Sequence, residues 1–225
     1  MKIKNIAIAT MLAAGMSSGI AFADGITAES GVYVTGQLGW SFPDAPNLTS
    51  SDFSGQPSYS YSQTSQNFVG GATVGYDYAF TQNWMAGLEL GYLYMGQNKY
   101  SATVGGVSAN ETLQNWGVQL MATGTYVMPS GWNVFGKVGG VYQTTKASGS
   151  GSIPSVGVVS ANESFSDVIP ALAVGVGYLF AQNLSMALQY EHTFGDDWNS
   201  NNLGSNPTTM TQNIVTLGLT YKFPM

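Results

Sequence analysis

The chain has 225 residues, of which 44% are apolar, 12% aromatic and only 8% charged. A soluble domain carries roughly 25% charged residues and a disordered one is charge-rich and aromatic-poor, so neither class fits. Beyond the first 23 residues there are four Lys, no Arg and twelve acids, a net charge of −8 that repels phosphate and excludes a nucleic-acid partner; without Cys there is no disulfide framework or thiolate metal site.

Residues 1–23 read as a signal peptide. Lys2 and Lys4 form a positive start, Ile6 to Ile20 is apolar or small, and Ala21-Phe22-Ala23 fits a cleavage site. The apolar stretch is short for a spanning helix, which needs about 20 residues. Residues 24–225 are then one exported domain.

That domain shows no run of apolar residues long enough for a membrane helix. Its apolar residues alternate with period 2 instead. Val32–Phe42 places Val32, Val34, Leu38, Trp40 and Phe42 on one face. Phe68–Phe80 places Ala72, Val74, Tyr76 and Tyr78 opposite Thr73 and Asp77. Trp84–Met95 places Leu88, Leu90, Tyr92 and Tyr94 opposite Glu89 and Gly91. Trp116–Met128, Trp132–Tyr142, Val168–Phe180, Leu184–Phe194 and Asn213–Phe223 repeat the pattern. Eight strands of about 11 to 14 residues follow. Globular strands average about 5 to 6 residues, whereas strands that cross a bilayer at a tilt need about 9 to 11.

The connectors alternate as well. Thr81-Gln82-Asn83, Pro129-Ser130-Gly131 and Ala181-Gln182-Asn183 are tight turns. Pro43–Asn67, Gly96–Gln114, Thr145–Asp167 and Gly195–Gln212 are long and polar, and are read as loops. Short periplasmic turns and long outer loops are the habit of an outer-membrane barrel. Aromatics gather at the strand ends: Phe80, Trp84, Trp132, Phe180 and Phe223 beside the turns, and Trp40, Phe42, Tyr94, Tyr142, Phe194 and Trp198 beside the loops. They are expected to form two interfacial girdles. A soluble sandwich also alternates, but it would decorate its polar face with charge. Here that face is Gly, Thr, Gln, Asn and Ser, with one charge per strand at most, which suits a small enclosed interior.

These features, with the aromatic-ended last strand Val215–Phe223, resemble the small outer-membrane β-barrel family of the opacity-like proteins and the barrel of outer-membrane protein A. The resemblance covers the whole exported part. It implies an all-β, eight-stranded, antiparallel up-and-down transmembrane barrel in the bacterial outer membrane. It also implies a monomer in contact with outer-membrane lipids and lipopolysaccharide, assembled by the barrel-assembly machinery. Pro224 and Met225 displace the aromatic assembly signal slightly from the end. With no peptidoglycan-binding domain after the barrel, a cell-wall tether is not expected.

The charges inside the barrel are the candidate site. Parity points Glu89, Lys137 and Glu191 inward. Glu89 and Lys137 stand roughly 12 Å above the turns and Glu191 roughly 16 Å, at about 3.3 Å per residue and a 45° tilt. One ammonium is expected to bridge two carboxylates and close the lumen. Asp77 and Lys222 form a second expected pair nearer the turns. His192, the only imidazole, falls outward near the outer rim. The resemblance offers a catalytic use, since some outer-membrane lipid A deacylases pair a rim His with a Ser two residues later. Here that position is Phe194.

Two echoes recur. Tyr78–Asn83 resembles Tyr178–Asn183, and Val107–Glu111 matches Val159–Glu163, through hairpin duplication or as paired binding tips. The expected function is a non-enzymatic structural and surface-interaction protein whose loops meet a host or surface ligand, with no cofactor. A small porin is the alternative and a lipid-modifying enzyme the third reading. An eight-stranded barrel has room only for its own side chains, which favours the first.

Overall fold

A computed structural model describes residues 26–43, 59–104, 107–153, 157–195 and 211–223. The expected signal peptide, Trp198, Asp196, Asp197, Pro224 and Met225 lie outside the described residues. The strands are β1 (Gly31–Pro43), β2 (Tyr59–Gln66), β3 (Phe68–Ala79), β4 (Trp84–Val104), β5 (Val107–Val127), β6 (Trp132–Ile153), β7 (Gly157–Ala181), β8 (Leu184–Thr193) and β9 (Gln212–Lys222).

Every neighbouring pair is antiparallel, and β1 pairs with both β3 and β9, which closes the sheet into a barrel. β2 and β3 are two pieces of one barrel strand, broken at Asn67, because both pair with β4. The barrel therefore has eight strands, and closure leaves no open edge where the wall is complete.

The alternation sorts side chains as an inverted globule. Leu88 (62% exposed), Leu120, Val138, Val174 and Leu219 face out. Gln37, Thr73, Glu89, Gln119, Gln143, Gln189 and Thr216 face in and are buried. From Trp84 to Tyr94 the wall rises roughly 23 Å, close to the apolar band of a barrel in lipid.

The interior departs from the expected all-polar filling. Val69, Leu93, Met95, Met121, Val141, Ile169, Ala171, Ala173 and Ile214 form a buried apolar cluster within the half of the lumen away from the turns. These side chains fit because glycines face them on adjacent strands. Leu93 lies over Gly71, Met121 over Gly139 and Val141 over Gly117, each within 2.8 Å of where a Cβ would stand. In the other half, Phe135 lies over Gly175 and Tyr33 over Gly75 in the same way.

Two expected loops are instead strands. β4 and β5 stay paired from Gln97↔Gln114 to Val104↔Val107, and β6 and β7 from Thr145↔Phe165 to Ile153↔Gly157. These long hairpins, with β2 along one side, raise a five-stranded wall above β1, β8 and β9. A bulge at Gly96, at φ +95°, shifts the register where β4 enters the extension. The matched segments Val107–Glu111 and Val159–Glu163 accordingly open β5 and β7, on either side of β6 and beside the far ends of the two hairpins.

Candidate functional site

The strands bring Glu89, on β4, and Lys137, on β6, together across Thr123 of β5. The register sets Glu89 opposite Met121 and Lys137 opposite Thr123, so the two side chains meet diagonally across β5, offset by two residues. Lys137 Nζ donates to both Glu89 oxygens at 2.9 Å. Tyr33 OH, on β1 two strands from β4 in the other direction, donates to Glu89 Oε2 at 3.0 Å. The carboxylate is 2% exposed, so its charge is compensated inside the lumen and not by bulk water.

Glu191 is placed differently from the expectation. It is 1% exposed, and its Oε2 accepts from Gln189 Nε2 at 3.0 Å. Among the described residues Lys137 makes no ion pair to it within 4.0 Å, and Glu191 Oε1 has no partner. The ammonium, 12% exposed, is drawn toward β4 by two oxygens at once, a geometry that Glu191 on the far side of Ala173 does not match. Nearer the turns, Lys222 Nζ meets Asp77 Oδ2 at 2.7 Å.

A cavity of about 120 Å³ lies between these two ion pairs and the turn end, lined by Thr35, Asp77, Thr125, Asn133, Ser185 and Lys222 among others. Residues 26–30 cross its mouth, a feature that strand periodicity could not reveal. Ile26 is buried with Met85 and Val127. Ala28 N–H donates to Gln82 O at 2.7 Å, Ala79 N–H to Ser30 Oγ at 2.9 Å, and Lys222 Nζ to Glu29 O at 3.1 Å. Above the ion pairs the cavity meets the apolar cluster. Beyond the Lys137–Glu89 pair the lumen is filled by that cluster together with buried Gln37, Gln119, Gln143 and Gln212.

The outward aromatics sit at both ends of the wall. Near the turns Trp84 packs on Tyr126 (4.9 Å between centroids), Trp132 on Tyr178 (5.3 Å) and Tyr221 on Phe223 (5.1 Å). Phe80 is exposed there, and Phe180 packs on Tyr178. Toward the hairpins Trp40 meets Phe68 and Tyr92 meets Trp116. Phe42, Tyr142 and Phe194 are exposed at that end, with Tyr94 half-buried. The partners Tyr126, Tyr178, Tyr221, Phe68 and Trp116 are aromatics the end-of-strand reading left out; the register pairs all of them across strands except Tyr221, which meets Phe223 two residues along the same strand.

His192 faces out beside Phe194, with ring centroids 4.4 Å apart. Its Nδ1 lies 2.9 Å from Asn213 Oδ1, which also accepts from Tyr190 OH at 2.6 Å. The ring is engaged by an amide and an aromatic, with no hydroxyl nucleophile at 194. Among the described residues no group of His, Asp and Glu gathers as a metal site.

The sequence from residue 27 to 225 matches the OmpA-like transmembrane domain. Outer membrane protein A of Yersinia pseudotuberculosis is 26% identical over 196 residues, covering 85% of this chain and 48% of that protein. The chain thus spans about half the length of that relative. An uncharacterized protein of Coxiella burnetii is 27% identical over 224 residues, covering 88% of this chain and 87% of its own. Among solved structures, the outer membrane protein OprG of Pseudomonas aeruginosa superposes with a TM-score of 0.51 at 13% identity, over 90% of this chain and 100% of that one. That likeness concerns the fold.

Proposed function

Because the chain belongs to the OmpA-like transmembrane domain family, we propose that it is a closed barrel of the bacterial outer membrane whose role is structural and whose contacts are made at its outer surface. The observation that carries this reading is the filling of the lumen by the Lys137–Glu89 pair and the buried side chains beyond it. An ion needs a continuous hydrated path, and the cavity of about 120 Å³ at the periplasmic end supplies only its first part. The Lys137–Glu89 pair stands at the head of that cavity, and the Leu93, Met121, Val141 and Ile214 layer follows it. An apolar constriction excludes ions by dewetting.

The surface role is supported by where the remaining structure is invested. The wall from β4 to β7 rises about ten residues above the aromatic row, while β1, β8 and β9 stop near it. Partners in this reading are lipids, lipopolysaccharide and a surface ligand met by a monomeric barrel. The porin reading has the periplasmic cavity in its favour, but it must pass the apolar layer. The enzyme reading has, among the described residues, no hydroxyl two residues after His192, where Phe194 stands.

Planar-bilayer recording tests the proposal. The wild-type barrel should show no steady conductance, and Lys137→Ala alone should add little, because the apolar layer is intact. Leu93→Ser with Met121→Ser should admit ions. A large steady conductance of the wild type would overturn the closed reading in favour of the porin.

A further inference from the structure

Charge inside the barrel does not balance among the described residues. Lys137 is taken by Glu89 and Lys222 by Asp77, which leaves Glu191 as a carboxylate that no ammonium neutralises. Glu191 is 1% exposed; Gln189 Nε2 donates to its Oε2, and its Oε1 has no partner. A buried charge in this state is costly until something compensates it. The strand register shows what stands around it. Pairing followed from Tyr33 through all eight barrel strands returns to β1 at Pro43, ten residues higher. Each crossing between strands therefore changes height by about one and a quarter residues. From Glu191, three crossings through Ala173 and Lys137 to Thr123 descend by almost four residues, and Gln119 stands four residues above Thr123 on β5. Glu191 and Gln119 thus lie level on facing walls of the lumen. Gln119 is 1% exposed, and neither of its amide atoms has a partner.

We propose that Glu191 anchors an internal site for one alkali cation. The inference goes beyond the closed-barrel reading, since the ion is bound and not passed. A monovalent ion supplies the one positive charge that the interior lacks, and Glu191 Oε1 offers it a free anionic oxygen. Gln119 adds an amide oxygen, and oxygen dipoles of this kind replace the hydration shell of an alkali ion. A divalent ion would overcompensate a single carboxylate, because the other two interior acids lie nearer the turns and already hold lysines. Lys137 does not fill the role, since both Glu89 oxygens hold its ammonium at 2.9 Å. The way in is short. The cavity at the periplasmic end is lined by Gln189 and Thr216, and Gln189 is itself the donor to Glu191. The way on is shut by the buried apolar cluster, which includes Ile214, the β9 partner of Glu191, and Ala171 on β7. The site is therefore a blind end, reached from the periplasmic side.

The test uses the full-length barrel in zwitterionic detergent micelles, in buffers of one ionic strength whose cation is sodium, potassium or the bulky N-methylglucamine. Urea unfolding should show the wild type more stable in sodium or potassium. Above saturation, each tenfold rise in that ion should raise the folding constant about tenfold, as one bound ion requires. Glu191→Gln removes the charge, so it should lose this dependence and be at least as stable as the wild type in N-methylglucamine. Glu163→Gln, on the upper wall, should keep the dependence. Crystals soaked in thallium(I), an anomalous scatterer that occupies alkali sites, should show a peak beside Glu191, an arm that needs no variant to fold. Equal wild-type stability with all three cations would overturn the proposal, as would a dependence that survives Glu191→Gln or a thallium peak only elsewhere. A protonated-carboxyl infrared band in saturating sodium at neutral pH, lost in Glu191→Gln, would also overturn it, because a proton would then hold the place of the ion. Bilayer recording separates the two readings. A silent barrel without cation dependence refutes the site and leaves the closed lumen standing, whereas a conducting barrel with the dependence intact overturns the closed lumen and keeps the ion at Glu191.

Discussion

Two residues show how differently charge is tolerated on the two sides of this wall. Leu88 faces out midway between Trp84 and Tyr94. Leu88→Arg should destabilise the barrel by about 2–4 kcal/mol, the cost of an Arg at bilayer mid-depth. Ser101→Arg, exposed above the aromatic row, should change stability by much less. Urea unfolding in lipid vesicles checks both, and equal small effects would contradict the facing of β4. Inside, Lys137 neutralises Glu89 in a space with little water. Lys137→Met leaves that carboxylate with Tyr33 as its remaining donor, and stranding a buried charge typically costs 3–5 kcal/mol. Adding Glu89→Gln should recover much of the loss, because desolvation of the second charge is removed too. A double variant no more stable than Lys137→Met would mean that packing, not charge, holds this layer.

At the scale of strands, glycine placement decides how a narrow lumen is filled. A Cβ at Gly75 would meet the Tyr33 ring and the Leu88 carbonyl oxygen at 2.8 Å. Gly75→Ala must therefore push Tyr33 off Glu89, and overpacking of this kind typically costs about 1–3 kcal/mol. Gly124 faces out with nothing within 4 Å of its Cβ position, so Gly124→Ala should be neutral or stabilising by up to about 1 kcal/mol. Vesicle unfolding of the two variants separates them. The strand cores were legible because one face is lipid and the other polar, and that contrast survives in β1, β3, β4 and β9 as strict alternation. The upper hairpins were not legible, since Ser148, Gly149, Ser150 and Gly151 are polar or small on both faces. A sheet with water on each side leaves no period-2 signal. The inner apolar layer was hidden for the opposite reason. Val141 beside Tyr142 and Ile169 beside Val168 look like continuous apolar runs, and only barrel closure tells which of each pair turns inward. The Glu89–Lys137 pair could be read from parity and height. The choice of Glu89 over Glu191 was not legible, because each acid stands one intervening strand away from Lys137, across Thr123 on one side and Ala173 on the other.

For the whole molecule, spanning and display use separate parts of the same strands. The barrel closes below the Gly96 bulge, where each strand has two partners. Above it the wall has open sides, and its hydrogen bonds add to β4–β7 without completing a ring. The buried apolar side chains of the lumen, from Met121 to Val141 and Ile169, all lie below the extension. Replacing residues 98–113 and 147–164 by tight turns should therefore leave a barrel that still folds in lipid. It should keep a heat-shifted band in mild detergent electrophoresis, because loop length is tolerated at low cost once the ends are held together by a closed sheet. It should also stay silent in planar bilayers. Among the described side chains of the removed segments Leu113 is buried, so a modest drop in stability is expected from its loss. A trimmed barrel that conducts would mean that the upper wall itself forms part of the seal. One that no longer gives a heat-shifted band would mean that the long hairpins nucleate the sheet, with β4–β7 zipping first and β1, β8 and β9 closing onto them.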